Sequence, residues 1–339
     1  MSRKIHNVAH AFMRAVSRLF ATPRLQGTGR RQEWRRGTLE RAPQILILLA
    51  CVARAERFEA AEPHMGTVVR ITIYAASDEA LKPAFARIAQ LDDELSDYKP
   101  ASELNILCRT ADHRPVPVSQ DLYRVLEAAQ QLAERSDGAF DVTIGPITHL
   151  WRKGKLADRE TLARCGWRNL ALRNGTVHLN LAGMQLDLGA IAKGYAADEA
   201  LAVLRAHGVK RALVAVSGDI AAGDPPPGKK GWTIKVEPGG REVLLSNAAI
   251  STSGDTEQFL EAGGVHYSHI IDPKTGLGLT NHIAVTVIAK RGLDADPLAT
   301  TLSILGEQRG RAMLKRYYPR ATAFFTTSHA DERGSINSK

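Results

Sequence analysis

The sequence predicts a mixed α/β or α+β fold, in which a mixed or antiparallel sheet packs against helices. Beyond about residue 63, segments with alternating apolar residues, typical of half-buried strands, are interleaved with segments that carry apolar residues at helical spacing. Asn174-Gly175 lies between two short apolar runs and predicts a tight hairpin turn. With 339 residues, of which 44% are apolar and 24% charged, the chain can bury a substantial core.

The predicted elements follow in order along the chain. Residues 67–74 alternate branched and polar residues and predict a strand, and residues 77–95 carry apolar residues at helical spacing behind a Ser-Asp start. Asp97-Tyr98-Lys99-Pro100 predicts a turn that leads to a helix N-cap at Ser102. We expect further helices at about 119–135, 191–206 and 294–316, and strands near 176–187, 211–217, 231–246, 267–272, 282–289 and 321–326.

The net charge of +9 is carried by the first part of the chain. Of the 45 basic and 36 acidic residues, residues 1–57 hold 12 and 3, so the remaining chain has 33 of each sign. A nucleic-acid-binding protein needs a basic face on its folded body, so we expect no nucleic-acid partner. The three cysteines, Cys51, Cys108 and Cys165, form no CxxC pair, and neither a zinc site nor a disulfide framework is predicted.

The leader has the features of an export signal. Arg41 precedes a short apolar run at residues 45–52, and Ala53-Arg54-Ala55 forms an A-x-A site for signal peptidase. We therefore expect residues 1–55 to be a basic leader with a signal segment at 41–55, and residues 56–339 to form the functional domain. Because the segment before about residue 38 is long for a signal peptide, we expect the true start codon to lie downstream. A disordered basic tail is the alternative.

A second export interpretation concerns Cys51. The sequence Leu48-Leu49-Ala50-Cys51 resembles a lipobox, in which the cysteine is lipidated and becomes the mature N-terminus. Both interpretations place the protein in the periplasm or on the outer face of the inner membrane, and the second anchors it through a lipid. The apolar run is far shorter than the ~20 residues that span a bilayer, so we expect no permanent transmembrane helix.

Residues 186–198, which read L-D-L-G-A-I-A-K-G-Y-A-A-D, are the most informative segment of the chain. The pattern predicts a short apolar strand joined to a helix by a glycine turn. Such a turn gathers unpaired backbone N–H groups, which bind phosphate groups. The segment lacks the Gly-Lys-Ser/Thr of a P-loop and the G-x-G-x-x-G of a dinucleotide fold, so other residues must identify the ligand.

A second candidate site opens the last long predicted helix. Asp296 and Thr300 are four residues apart, so on a helix both side-chain oxygens project from one face. A carboxylate and a hydroxyl suit Mg²⁺ that is held largely through phosphates and water. A helix N-cap with a neighbouring threonine is the alternative interpretation of this spacing.

Two hydroxyl-rich segments, residues 251–255 and 267–273, place serines and threonines near His269 in the sequence. Their side chains supply donors for an anion and a potential general base. A Ser-His-Asp hydrolase is conceivable from these residue types. The chain has no G-x-S-x-G motif to expose a nucleophilic serine, which argues against that class.

Seven motifs, taken in order, carry a family resemblance. They are M-G-T at residue 65, D-G-A-F-D-x-T-x-G-P at 137, L-D-L-G-x-I-A-K-G-Y-A-x-D at 186, S-G-D-I at 217, S-T-S-G-D at 251, Y-S-H-I-I-D-P-x-T-G at 267 and A-D-x-x-A-T at 295. Together they resemble the FAD:protein FMN transferases, the ApbE-type flavin transferases, over about residues 63–326. The resemblance implies a single mixed α/β domain that binds FAD and Mg²⁺ and transfers FMN to a Thr or Ser of a partner protein, releasing AMP.

The resemblance also implies a set of site residues. The implied FAD contacts are Met65, Tyr98, Ala139, Phe140, Asp141, Asp187, Lys193 and Ile271. The implied Mg²⁺ ligands are the side chains of Asp296 and Thr300 and the main-chain oxygen of Ala190. We predict that His269 is the general base that accepts the proton of the acceptor hydroxyl, with Asp255 as the second choice.

The chain departs from the family pattern at two positions, and neither departure undermines the class. Ser217-Gly218-Asp219 stands where G-G-D is common, and Thr256 stands where an aromatic residue is common. No D-x-x-T-[SA] acceptor motif is evident, so we expect the chain to be the modifier and a membrane-associated redox protein to be the acceptor. Two alternatives are an Mg²⁺-dependent FAD pyrophosphatase, which releases FMN and AMP, and a non-catalytic flavin-binding protein.

Overall fold

The structure, a computed structural model, describes residues 55–237, 240–254, 259–262, 264–281 and 283–327. The predicted leader up to residue 54, which includes Cys51, and the candidate base Asp255 lie outside the described residues, so the predictions made for them stay predictions. None of the helices in the described ranges is long and apolar enough to cross a membrane.

Helices and strands alternate along the described chain. The helices are α1 (Leu81–Leu95), α2 (Glu103–Thr110), α3 (Gln120–Arg135), α4 (Gly145–Trp151), α5 (Arg159–Leu162), α6 (Ala192–Ala206) and α7 (Gly292–Tyr317). The strands are β1 (Glu56–His64), β2 (Thr67–Ala75), β3 (Val116–Pro117), β4 (Leu170–Arg173), β5 (Thr176–Leu179), β6 (Ala212–Val216), β7 (Asp219–Ala222), β8 (Trp232–Val236), β9 (Arg241–Leu245), β10 (Ala248–Ser253), β11 (Phe259–Ala262), β12 (Val265–Ser268), β13 (Ile271–Asp272), β14 (Leu277–Gly278), β15 (Ile283–Ala289) and β16 (Thr322–Thr327).

A seven-stranded sheet organises the fold, in the order β1-β2-β6-β7-β10-β15-β16. Every neighbouring pair in this sheet is antiparallel. The predicted mixed α/β class with an antiparallel sheet and packed helices is therefore confirmed. Short two- and three-stranded sheets, among them the β8-β9 hairpin, surround it.

The two faces of the sheet are covered differently. Successive residues of a strand point to opposite faces, and Val214 of β6 packs with residues of α1 and α6, whereas Leu213 packs with the β8-β9 hairpin. On the helical face, Ile71 of β2 and Ile88 of α1 are both fully buried. Burial of such side chains stabilises the fold by about 1.5–3 kcal/mol each. Helices therefore cover one face of the sheet, and the β8-β9 hairpin covers part of the other face.

Helices α6 and α7 approach each other more closely than a side chain would allow. A Cβ atom added to Gly194 would lie 2.3 Å from the carbonyl oxygen of Gly292, and one added to Gly292 would lie 2.2 Å from that of Gly194. One turn further along α6, Asp198 accepts hydrogen bonds from the N–H groups of Gly292 and Leu293, at 2.8 and 3.0 Å. A carboxylate of α6 thus caps the start of α7.

Burial changes the pKa of the capping carboxylate, Asp198. Burial raises the pKa of Asp198 to about 6, although the two N–H donors and the nearby Arg291 oppose the change. Because the raised pKa belongs to the folded state, the folded protein binds the proton more tightly than the unfolded chain. The contribution of Asp198 to stability therefore falls as the pH rises from about 4 to about 6.

Several local predictions are confirmed. Ser102 caps α2 by accepting a hydrogen bond from Asn105 N, and Ser119 caps α3 in the same way. Asn174 and Gly175 join β4 to β5 with positive φ angles of 48° and 76°, as a two-residue hairpin turn requires. The predicted helices at 119–135 and 191–206 match α3 and α6 to within one residue at each end.

Other boundaries were predicted wrongly, chiefly among the strands. The predicted strand 176–187 ends at Leu179, because the chain turns at residues 181–184, where Gly183 has a φ of 75°, and Asp187 N then donates to Val142 O in another loop. The predicted strand–turn–helix at 186–198 is consequently a loop followed by a helix. The segment 231–246 is a hairpin of two strands, 267–272 is split between β12 and β13, and α1 begins at Leu81. Helix α7 is broken at Gly306, whose φ is 73°.

Replacement of Gly194 by alanine should destabilise the protein. The new methyl group would meet Gly292 O and the Cβ of Asp296, so α6 and α7 must move apart. We expect the free energy of unfolding to fall by about 1–3 kcal/mol, the usual cost of overpacking. Urea denaturation followed by circular dichroism measures this change.

Ala202→Ser is the matched control, because it adds one heavy atom to an exposed position of the same helix. Its free energy of unfolding should stay within about 0.5 kcal/mol of the wild-type value. Equal stability of the Gly194→Ala variant and the wild type would contradict the close helix contact.

Candidate active site

A cavity of about 1220 Å³ opens at one end of the sheet. The β1-β2 turn, the β6-β7 turn, the end of β10 and the loop before α6 all contribute to its wall. Twelve predicted site residues line it: Met65, Tyr98, Ala139, Phe140, Asp141, Asp187, Ala190, Lys193, His269, Ile271, Asp296 and Thr300. Residues that are more than two hundred positions apart in the sequence are thus brought to one place.

Asp296 is a deeply buried carboxylate of this cavity wall, with 4% of the residue exposed. Its Oδ2 accepts a hydrogen bond of 2.9 Å from Gly194 N, so the contact between α6 and α7 also fixes this side chain. Burial and the negative charge of Asp219 raise the pKa of Asp296, against the effect of Lys193. A cation bound beside Asp296 would stabilise its ionised form.

Thr300 lies one helical turn after Asp296 and is half-buried. Its hydroxyl lies 3.4 Å from that of Ser253, which comes from the end of β10. Asp296, Thr300 and Ala190 all line the cavity, and a carboxylate, a hydroxyl and a main-chain oxygen are hard donors of the type that Mg²⁺ prefers. No group of three or more His, Cys, Asp or Glu residues suited to a metal occurs within the described ranges. A site with one carboxylate would depend on ligand phosphates and water for its other donors.

An ion pair between the partly exposed Lys193 and the buried Asp219 adjoins the Asp296 carboxylate. Lys193 Nζ donates to Asp219 Oδ2 at 2.7 Å, and Ser251 Oγ donates to Asp219 Oδ1 at 2.5 Å. Asp219 is 4% exposed and begins β7 directly after the Ser217-Gly218 turn. Both oxygens of Asp219 thus have partners, and the pair holds the lysine ammonium group at the cavity wall, where it can meet a phosphate.

The loop before α6 is folded by the side chain of Asp187. Its Oδ1 accepts a 2.8 Å hydrogen bond from Gly189 N, and its Oδ2 accepts one of the same length from Arg152. This turn carries Ala190 to the cavity wall, next to the start of α6. The backbone is irregular from Asp187 to Ala190, where the sequence predicted the end of a strand and a glycine turn.

Tyr98 and Arg152 lie together in the cavity wall. The Cζ of Arg152 lies 4.1 Å from the centre of the Tyr98 ring. Arg152 Nη1 also donates to Asp97 Oδ2 at 2.5 Å, and His149 Nε2 lies 3.5 Å from the same oxygen. Burial raises the pKa of Asp97, but the bonds from His149 and Arg152 outweigh it and hold that pKa below its usual value.

Asp141 uses its side chain to hold its own loop. Oδ1 accepts hydrogen bonds from the N–H and the hydroxyl of Thr143, at 2.8 and 2.7 Å, and Oδ2 accepts one of 2.9 Å from Trp167 N. Burial nevertheless raises the pKa of Asp141. The side chain of Asp141 thus binds neighbouring backbone groups, and its implied contact with FAD stays a prediction. Phe140 belongs to the buried core, so the loop presents mainly backbone to the cavity.

Met65 occupies a strained backbone position at the cavity. It forms the two-residue β1-β2 turn with Gly66, and its φ is +53°. A residue with a side chain pays about 1–3 kcal/mol for such a conformation. The strain brings the thioether to the cavity wall, where a polarizable side chain can pack against a flat ring.

His269 and Ile271 both line the cavity where the chain passes from β12 to β13. His269 is exposed and lines the cavity, whereas Ile271 is buried at the start of β13. An exposed imidazole at a cavity mouth can meet a hydroxyl that arrives from solvent. The placement agrees with the predicted role of His269, which stays a prediction.

Three residues of the site were missing from the sequence prediction. Asp219 was noted within the S-G-D-I motif but was not named as a site residue, although it is a buried carboxylate that pairs with Lys193. Asp97 was treated as a turn residue and Arg152 was not considered. Only the placement of α4 beside the 96–99 turn brings Arg152 to Tyr98, so no local pattern indicates that contact.

The chain is similar to known proteins over most of its length. Residues 65–325 match the ApbE family. An FAD:protein FMN transferase of Treponema pallidum is 36% identical over 309 residues, covering 80% of this chain and 85% of the relative, and one of Vibrio cholerae is 32% identical over 292 residues, covering 79% and 87%. The solved structure of the flavin transferase ApbE from Vibrio cholerae superposes with a TM-score of 0.72, at 30% identity, covering 82% of this chain and 95% of that one. On this evidence the chain belongs to the ApbE family.

Proposed function

We propose that this protein transfers FMN from FAD to a Ser or Thr hydroxyl of an acceptor protein and releases AMP. Two of its relatives are named for FMN transfer from FAD to protein. The observation that carries the proposal is the cavity, which gathers twelve of the thirteen residues expected from the family resemblance, the thirteenth lying outside the described ranges.

The size and lining of the cavity suit a dinucleotide. Its volume of about 1220 Å³ exceeds the ~300–1,000 Å³ of pockets that hold drug-sized ligands. Met65 and Tyr98 offer surfaces for a flat ring, and Lys193 offers a cation for a phosphate. The loop at residues 139–141 contributes backbone groups, which can bind polar edges without competing side-chain charge.

Asp296, Thr300 and the main-chain oxygen of Ala190 would hold Mg²⁺ in this proposal. When bound, Mg²⁺ supplies positive charge that offsets the negative charge developing on phosphate oxygens. The residues fit this role for two reasons. All three donors are oxygens, and the Asp296 carboxylate is buried away from water, so that a bound cation would stabilise its ionised form. Asp219 holds the nearby Lys193 through a hydrogen bond. The carboxylate of Asp219 would therefore position the lysine, whereas that of Asp296 would bind the metal.

The proposed reaction is a phosphoryl transfer at the phosphorus of the FMN half of FAD. The acceptor oxygen forms a bond to that phosphorus, while the bond from the phosphorus to the bridging oxygen of the pyrophosphate breaks. AMP leaves with the electron pair of the broken bond. His269 accepts the proton of the acceptor hydroxyl, and the cavity wall holds the two reacting groups in line.

We propose further that the acceptor is a membrane-associated redox protein outside the cytoplasm. The support is the sequence of residues 41–55, which carries an apolar run, an A-x-A site and a lipobox-like Cys51. An exported transferase would meet its acceptor in the periplasm or on the outer face of the inner membrane. Mass spectrometry of the mature N-terminus would distinguish a cleaved signal peptide from a lipid on Cys51.

The transfer itself can be tested by mass. Purified protein, FAD, Mg²⁺ and an acceptor domain that carries a D-x-x-T-[SA] motif should give an acceptor whose mass increases by one covalently bound FMN. Replacement of the motif threonine by alanine in the acceptor is the control and should abolish the increase. Release of free FMN and AMP with every acceptor, without modified protein, would show a pyrophosphatase and contradict the transfer.

Asp296→Ala should abolish measurable turnover, because it removes the only carboxylate among the expected metal donors. The assay is release of AMP from FAD in the presence of Mg²⁺. Asp294→Ala is the matched control, since Asp294 lies in the same helix turn but pairs with Arg291 through bonds of 2.8 Å and does not line the cavity. Normal turnover of Asp296→Ala would rule out the metal assignment.

His269→Gln should lower kcat for transfer by about 10²–10⁴-fold while the affinity for FAD changes little, because a general base acts on the acceptor and not on FAD. Single-turnover transfer and FAD titration measure the two quantities. His113→Gln is the control, since the His113 side chain is 81% exposed and lies away from the cavity lining. An unchanged kcat in His269→Gln would show that another group accepts the proton of the acceptor hydroxyl.

A further inference from the structure

We propose that Arg152 is a positioning residue, which holds Tyr98 and Asp187 in the arrangement that FAD meets in the cavity. The inference rests on the proposed function, because it concerns how the same cavity binds FAD. Arg152 lies outside the seven motifs that carry the family resemblance. Its role therefore follows from its contacts in the folded chain.

The guanidinium group of Arg152 links three separate segments. It donates from Nη1 to Asp97 Oδ2 at 2.5 Å and from Nη2 to Asp187 Oδ2 at 2.8 Å, and its Cζ lies 4.1 Å from the centre of the Tyr98 ring. The arginine itself comes directly after α4. One side chain thus connects the turn before α2, the end of α4 and the loop before α6.

For Tyr98, the contact fixes the orientation of an otherwise exposed ring. Tyr98 is 71% exposed and lines the cavity, and Arg152 lies over one of its faces. An exposed tyrosine without such a contact would sample several rotamers. With one face against the guanidinium group, the ring can offer its other face to a flat aromatic group of FAD.

For Asp187, the contact fixes the direction of the carboxylate. Oδ1 accepts a hydrogen bond from Gly189 N and Oδ2 accepts one from Arg152, so the carboxylate cannot rotate without losing one of them. The same turn leads to Ala190 and to the start of α6. Arg152 therefore also supports the backbone that is expected to carry a metal donor.

Asp97 provides the rigid support for Arg152. Its side chain is 6% exposed, and its Oδ2 also lies 3.5 Å from His149 Nε2, while His149 Nδ1 bonds to Gln185 Oε1 at 2.7 Å. Burial would lower the pKa of the Arg152 guanidinium, but Asp187 and Asp97 together raise it. Lysine has the same charge but lacks the planar fork that binds two carboxylates and stacks on a ring.

A double-mutant cycle tests the proposal. FAD is titrated into the full-length wild type and into the Tyr98→Leu, Arg152→Met and doubly substituted proteins, and the quenching of flavin fluorescence gives both the Kd and the quenching at saturation. We expect Arg152→Met to raise the Kd by roughly three- to tenfold, as loss of one stacking contact would, and to reduce the quenching. In the Tyr98→Leu background, the same substitution should raise the Kd by a clearly smaller factor, because the contact with the ring is already lost and only the support of Asp187 remains to be removed.

Two further variants complete the test. Lys153→Met removes a positive charge from the neighbouring exposed position and should leave the Kd unchanged. Arg152→Lys should raise the Kd as Arg152→Met does. If Arg152→Met does not fold, the Kd of Arg152→Lys tests the positioning role in its place. Full affinity in Arg152→Lys, or additive effects in the cycle, would overturn the positioning role. Failure of the wild type to bind FAD would instead overturn the proposed function, and the inference with it.

Discussion

The close contact between α6 and α7 is the constraint on which the site depends. Gly194 and Gly292 let the two backbones approach to a distance that a Cβ atom would prevent. At that distance Gly194 N reaches Asp296, and Asp198 reaches the first N–H groups of α7. The contact therefore packs the helices, caps one of them and fixes a buried carboxylate at the cavity wall.

The carboxylates of the cavity differ in how their charge is compensated. Asp219 bonds to Lys193, and Asp187 and Asp97 share Arg152. Asp296 is as deeply buried as Asp219, and the hydrogen bond that it accepts comes from a backbone N–H. Burial of a charge is costly unless a partner offsets it. This difference is the physical reason for assigning the cation of the proposed reaction to Asp296.

Local chemistry explains which features could be predicted from the sequence. The Asn174-Gly175 turn and the N-caps at Ser102 and Ser119 depend only on neighbouring residues, and they were found. Helical spacing predicted that Asp296 and Thr300 share one face of a helix, and the family resemblance, not the spacing, favoured a metal site over a helix N-cap.

What could not be predicted depends on contacts between distant segments. The predicted strand at 176–187 failed in its second half, where the chain turns at residues 181–184 and Asp187 N then bonds to Val142 O, a residue of another loop. The contacts of Arg152 with Asp97 and Tyr98 cross more than fifty positions of sequence, and no periodicity indicates them. The family resemblance supplied residues that local patterns left undecided, but it did not include Arg152.

The most direct measurement of the whole account is a crystal structure of the protein with FAD and Mn²⁺, a substitute for Mg²⁺ whose anomalous scattering locates the ion. The account predicts an anomalous peak bonded to Asp296, Thr300 and the main-chain oxygen of Ala190, with the pyrophosphate of FAD beside it. A peak elsewhere, or FAD bound outside the cavity, would contradict the proposed site.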